Sequence, residues 1–218
     1  MLIAFSLYPA FTSLDVIGAY QVFANWPDTE LTLVGPTKDP ILDDRGVVAL
    51  SPTATFSEVV SPDVIVVPGS SRPFEALEDR PLLDWLVSVE PTARWVTSVC
   101  TGSGLLAAAG LLDGRRAATH WAYRGVVASA GIDVDHDRYV IDGKFATGGG
   151  VTAGIDMALA LTAREFDDTT AKMIQLLLES QARPGADRAA LDASVHRAVA
   201  DFVQRQAACG LDVINDGE

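Results

Sequence analysis

Residues 95 to 112, WVTSVCTGSGLLAAAGLL, constrain the fold more than any other stretch, because the side-chain period changes within them. Trp95 to Val99 form a short β-branched and aromatic run. From Thr101 onward Gly, Ala and Leu dominate, with Leu105, Leu106, Ala109 and Leu112 at helical spacing. The stretch predicts a buried strand, an abrupt turn at Cys100 and a helix. Gly102 and Gly104 let neighbouring chain approach closely, and Thr101 and Ser103 are candidate helix caps. A helix N-terminus favours negative charge, so a thiol placed there is expected to ionise more readily than a free cysteine. This is the arrangement of a nucleophile elbow with cysteine in place of serine. The competing reading is a cysteine that packs as a small inert hydrophobe.

Around this turn the chain alternates strand and helix signals. Residues 2 to 8 read as a first strand, the helix after it begins near Leu14, and residues 29 to 35 read as a second strand. Ile41-Leu42 and Val47 to Leu50 flank the turn Asp43-Asp44-Arg45-Gly46 of a hairpin. Asp63 to Val67, DVIVV, suits a central parallel strand buried on both faces, and it ends in Pro68-Gly69-Ser70-Ser71. A helix is expected over residues 79 to 89. After the elbow helix come a short strand at Arg116 to Thr119, a segment opened by His120 that turns helical at Tyr123 to Ser129, and a hairpin over residues 137 to 147. Gly148-Gly149-Gly150 leads into a helix from Thr152 to Phe166, and Asp167 caps another. Such repeated units predict an α/β fold, a mostly parallel sheet with helices on both faces. In that architecture the loops at the carboxyl ends of the strands build the site. Asp15, the Gly69 loop, Cys100, His120 and the Gly148 to Gly150 loop each follow a predicted strand.

Composition bounds what the site can serve. With 218 residues, 49% of them hydrophobic, the chain can bury one substantial core. A net charge of -13 with three scattered lysines argues against duplex nucleic acid and anionic membrane surfaces as partners. Two cysteines, Cys100 and Cys209, suggest no disulfide framework and point to a reducing, cytoplasmic compartment. The apolar run LIAFSLY stops at Pro9, too short for a signal peptide or a membrane span. No closely spaced cluster of His, Cys and carboxylates suggests a metal. From Gly185 a helical extension and tail is expected, with Leu191, Val195, Val199, Phe202 and Val203 on one face. The chain therefore divides into a main domain over residues 1 to 183 and an extension over 184 to 218.

LDVIGAYQVF, DVIVVPG, WVTSVCTGSGLLAAAGLLDGRRAATHWAY and ATGGGVTAGIDMALAL together resemble the DJ-1/PfpI superfamily, most narrowly its isocyanide hydratases and the sensor-like domains of some AraC-type regulators. The resemblance covers about residues 1 to 180 and implies a flavodoxin-like fold, usually a homodimer. It also implies a reactive cysteine with an acid from the first helix. Carried over, Cys100 matches the nucleophile, Asp15 the acid and Thr101 the threonine that follows the nucleophile in the hydratases. Many DJ-1 and peptidase-like relatives carry glutamate at the acid position, and the peptidase-like ones carry histidine after the cysteine; Asp15 and Thr101 here favour a hydratase. The implied reaction is hydration of a small-molecule isocyanide to an N-substituted formamide through a thioimidate on Cys100, with no metal or organic cofactor. Asp15 and Cys100, if in contact, should share a proton and titrate as a pair. Backbone amides near Gly69, Ser70 and Thr101 are expected to hold a polar substrate atom or a water. Ser70-Ser71 departs from the second glycine common in this loop. His120 is expected to wall or support the pocket, with general-base action as the alternative, and Gly149 and Gly150 to make a tight turn over it. The other readings are reactive-carbonyl or redox stress protection through Cys100, and ligand sensing of the AraC type.

Overall fold

The computed structural model describes residues 1 to 180. The strands are β1 (Leu2–Ser6), β2 (Glu30–Gly35), β3 (Ile41–Leu42), β4 (Ala49–Leu50), β5 (Ala54–Thr55), β6 (Val64–Val67), β7 (Trp95–Val99), β8 (Arg116–Ala118), β9 (Asp133–Asp135), β10 (Tyr139–Asp142) and β11 (Phe145–Gly148). The helices are α1 (Ser13–Phe23), α2 (Pro73–Ala76), α3 (Arg80–Val89), α4 (Gly102–Ala108), α5 (Arg124–Ser129), α6 (Ala153–Glu165) and α7 (Asp168–Ser180). Seven strands form one sheet in the order β10-β11-β7-β6-β1-β2-β5, and only β10 runs antiparallel to its neighbour. β3 pairs with β4 in the expected hairpin, and β8 pairs in parallel with β9, a short strand with no distinct signal of its own.

The centre of the sheet falls where the sequence is most continuously apolar. All four residues of β6 are fully buried, as a parallel strand covered on both faces requires. α3 shows how the covering layer is made. Asp79 caps it by accepting a hydrogen bond from the Leu82 N–H at 3.1 Å, and Leu82, Leu83, Trp85, Leu86 and Val89 turn inward. α1, α6 and α7 pack on one another, while α4 packs against α2, α3 and α5. Asp167 accepts from the Thr170 N–H at 2.7 Å and starts α7 as its position suggested. The proposed extension over residues 184 to 218, with Cys209 and His196, lies outside the described residues.

Parallel strands bring the loops after β1, β6, β7 and β11 to one end of the sheet. The elbow is wedged between β6 and β11. A Cβ at Gly102 would stand 2.3 Å from the Val67 carbonyl oxygen and 2.9 Å from that of Pro68, both rigid backbone. Gly102→Ala is therefore expected to lower unfolding stability by about 3 kcal/mol or more, measured by urea titration, because a strand or the elbow itself must move.

Candidate active site

Cys100 adopts φ = 60°, left-handed backbone that a side chain with a Cβ seldom occupies. Holding a non-glycine residue there costs about 1–3 kcal/mol and needs support from its surroundings. That support is visible. The Cys100 N–H donates to the Gly148 carbonyl at 2.9 Å, while its carbonyl accepts from the His120 N–H at 3.3 Å and the Thr119 hydroxyl at 3.2 Å. β7 thus delivers the cysteine, and β11 with the loop after β8 fixes its angle.

Asp15 comes from the first turn of α1 and is fully buried. Its Oδ2 accepts the Gly69 N–H at 2.8 Å, and its Oδ1 is buried with no partner in ordinary hydrogen-bond geometry. The neighbouring Cys100 thiol favours the charged form of this carboxylate, the smallest of the influences on it. Burial raises the Asp15 pKa to about 7 against the opposing Gly69 N–H, with a smaller upward push from Asp44.

The thiol departs from the expectation of easy ionisation. Burial first and the Asp15 charge second push the Cys100 pKa up to about 12, and the Thr101 N–H and hydroxyl oppose them only in part. Desolvation outweighs the helix N-terminus, whose helix α4 is only seven residues long. Between pH 7 and 12 the resting pair is a thiol beside a carboxylate, the proton on sulfur.

Thr101 does not cap α4. Its Oγ1 accepts the Ser70 N–H at 2.8 Å and donates to the Ser70 carbonyl at 3.0 Å, clamping the elbow to the loop after β6. The second candidate cap, Ser103, donates to the Cys100 carbonyl at 3.5 Å. These contacts correct the expectation of free amides: Gly69 gives its N–H to Asp15 and Ser70 gives its own to Thr101. Gly69 must be glycine, since a Cβ there would lie 2.6 Å from the Thr101 nitrogen. Ser70 uses the side chain that replaces a second glycine. Its hydroxyl donates to the Ala10 carbonyl at 2.6 Å and accepts from the Arg72 N–H at 2.9 Å.

His120 is half-buried, and its Nδ1 accepts the Ala122 N–H at 3.3 Å, capping a single 3-10 turn over Trp121–Tyr123. No carboxylate among the described residues is hydrogen-bonded to it, and burial followed by the Arg124 charge lowers its pKa. It supports the elbow through its backbone. Gly149 donates to the Arg138 carbonyl at 2.8 Å, and Gly149 and Gly150 line a separate cavity whose wall includes neither Cys100 nor Asp15.

Two neighbours escaped the sequence reading. Tyr8 is 1% exposed, donates its hydroxyl to the Pro68 carbonyl at 2.8 Å, and has a raised pKa from burial, then from Asp15 and Cys100. It ends the first strand's apolar run, where a tyrosine reads as core. Asp44, on the hairpin, accepts from the Thr12 hydroxyl at 3.0 Å and adds negative charge felt by Asp15, Cys100 and Tyr8. No local signal separates it from an ordinary turn aspartate.

The model of the DJ-1/PfpI family matches residues 1–164. The chain belongs to the DJ-1/PfpI family. Among its relatives is an isonitrile hydratase of Pseudomonas putida, 43% identical over 209 residues, covering 96% of this chain and 91% of that one. The transcriptional regulator CdhR of Pseudomonas aeruginosa is 26% identical over 205 residues; this chain spans 60% of its length. The crystal structure of a ThiJ/PfpI family protein from Pseudomonas syringae superposes with a TM-score of 0.78 at 32% identity, covering 95% of this chain and 89% of that one. The mostly parallel sheet with helices around it is the fold of the DJ-1/PfpI family. No helix among the described residues is long and apolar enough to cross a membrane.

Proposed function

We propose that this chain is an isocyanide hydratase that uses Cys100 as nucleophile and Asp15 as the proton carrier. The observation that carries this reading is the Asp15 carboxylate, buried, with a pKa raised to about 7, one oxygen held by Gly69 and the other without a hydrogen-bond partner. A thiol held at about 12 needs a base to attack, and a carboxylate poised near neutrality can take a proton and return it.

The isocyanide carbon is electrophilic and bears a lone pair. Cys100 sulfur forms a bond to it as the thiol proton passes to Asp15 Oδ1, and Asp15 then delivers that proton to the same carbon. The result is a thioimidate, S–CH=N–R. Asp15, ionised again, removes a proton from water as its oxygen adds to the thioimidate carbon. Asp15 passes that proton to the nitrogen, and collapse of the tetrahedral adduct breaks the C–S bond as the hydroxyl proton moves to sulfur, leaving R–NH–CHO and the free thiol. The clamp between Thr101 and Ser70 holds the elbow against Asp15 throughout.

The 43% identity with a named isonitrile hydratase across 96% of the chain supports the substrate class. The thiol's state disfavours a redox sensor, because peroxide attacks thiolates and Cys100 is 5% exposed with a raised pKa. With an aromatic isocyanide, kcat/KM should rise with pH through an acid limb near pH 7 as Asp15 ionises in the free protein. A rate independent of pH between 5 and 9 would contradict Asp15 as the base.

A further inference from the structure

The turn of the β3–β4 hairpin, Asp43-Asp44-Arg45-Gly46, carries two carboxylates with different surroundings. Asp43 serves the hairpin and its seat on α1. Its oxygens accept from the Ser13 hydroxyl at 2.6 Å and from the Val47 and Val48 N–H groups at 3.0 and 3.1 Å. Asp44 reaches out of the hairpin. One of its oxygens, Oδ2, accepts from both the Thr12 hydroxyl at 3.0 Å and the Ser71 N–H at 3.3 Å.

Those two donors belong to the two segments that hold Asp15. Thr12 precedes α1, and its carbonyl accepts the Asp15 N–H at 3.1 Å. Ser71 lies two residues beyond Gly69, whose N–H holds the Asp15 carboxylate. The Thr12 N–H also donates to the Gly69 carbonyl at 2.8 Å and the Asp44 N–H to the Phe11 carbonyl at 2.9 Å, so hairpin, helix and loop form one hydrogen-bonded unit. The titratable side chains that exchange charge effects with Asp15 are Cys100 from the elbow, Tyr8 after β1 and Asp44. α6, packed along α1, pairs its Asp156 and Glu165 with Arg138 and Arg94 instead. α7 also touches α1, and its Asp168 and Lys172 do not act on Asp15. No cation of the described residues forms an ion pair with Asp44: Arg45 beside it is exposed, and Arg72 on the loop pairs with Glu75. A second carboxylate fixed nearby disfavours ionisation of the first.

We propose that Asp44 is a positioning residue that sets the pH at which Asp15 accepts the thiol proton, through its fixed charge and its bridge between Thr12 and Ser71. Its catalytic meaning rests on the hydratase mechanism above, while its effect on Asp15 belongs to the resting protein. With the Asp44 charge in place, Asp15 holds its proton to a higher pH than burial alone requires.

Asp44→Asn separates charge from bridge, because both donors use one oxygen and the amide oxygen can replace it. The test is a pH titration of the full-length, reduced protein carrying 13C-labelled aspartate, following the carboxyl resonance that disappears in Asp15→Asn. The wild-type midpoint is expected at about 7. In Asp44→Asn it should fall by about half a pH unit or more, and the acid limb of kcat/KM for an aromatic isocyanide should move to lower pH with it. Asp44→Ala should show the same fall, giving a second reading should asparagine disturb the turn. Without the bridge it should also lose about tenfold in plateau kcat/KM relative to Asp44→Asn. An unchanged or raised midpoint in folded Asp44→Asn or Asp44→Ala would overturn the assignment, as would a wild-type midpoint near the ordinary carboxylate value. A midpoint that falls as stated in a protein that turns over no isocyanide would remove the hydratase reading and leave the link between Asp44 and Asp15 standing.

Discussion

Replacing Cys100 with alanine is expected to reduce isocyanide turnover by at least about 10⁴-fold while leaving the protein folded. Everything held at the elbow through the backbone survives the change. The bonds from the Cys100 amide to Gly148 and from His120 and Thr119 to the Cys100 carbonyl do not involve the side chain. Alanine also keeps a Cβ, so the left-handed strain at φ = 60° remains. What disappears is the sulfur that the proposed mechanism bonds to the isocyanide carbon. Cys100→Gly should be equally inactive yet more stable than Cys100→Ala by about 1 kcal/mol, because glycine enters that backbone region freely. Chemical denaturation of the two variants side by side measures the difference.

Asp15→Asn should lower turnover by about 10²–10⁴-fold, the usual range for loss of a positioned proton carrier, and abolish the acid limb near pH 7. The same substitution should stabilise the fold, and the gain should grow with pH. An acid whose pKa rises from 3.8 to about 7 on folding keeps a proton in the native state that the unfolded chain has released. Native stability therefore falls as pH rises from about 4 to 7 and stays reduced above that. Asparagine cannot ionise and still offers an oxygen to the Gly69 N–H. Its advantage over wild type should widen by about 2–3 kcal/mol between pH 5 and pH 8, roughly two pH units at about 1.4 kcal/mol each. Urea unfolding at the two pH values reads this directly. A constant offset would mean that Asp15 is ionised throughout.

The parts of this molecule legible from sequence are those where pattern and burial coincide. β6 announced itself as four consecutive apolar residues, and the elbow as a change of period at Cys100 followed by small residues. Asp15 could be singled out only through the family resemblance of LDVIGAYQVF, since an acid in the first turn of α1 is otherwise explained by capping or the helix dipole. Strands of two or three residues, such as β5 and β9, are too short to show a period, and partners elsewhere in the chain define them. Ionisation was misjudged for a related reason. The helix N-terminus beside Cys100 is local and visible, whereas the desolvation that dominates it is assembled from segments spread over the domain. Likewise nothing near Gly69 or Ser70 tells that their amides are taken by Asp15 and Thr101, and Asp44 approaches the site from a hairpin nearly thirty residues past α1's first turn.

The most direct test of the central claim is rapid acid quenching of the reduced protein during turnover of an aromatic isocyanide, with mass spectrometry of the Cys100 peptide and quantification of formamide. The covalent mechanism predicts formamide formation and a peptide heavier by the mass of one isocyanide, both absent in Cys100→Ala. Formamide produced by Cys100→Ala at the wild-type rate, or no formamide from intact reduced wild-type protein across several isocyanides, would contradict it.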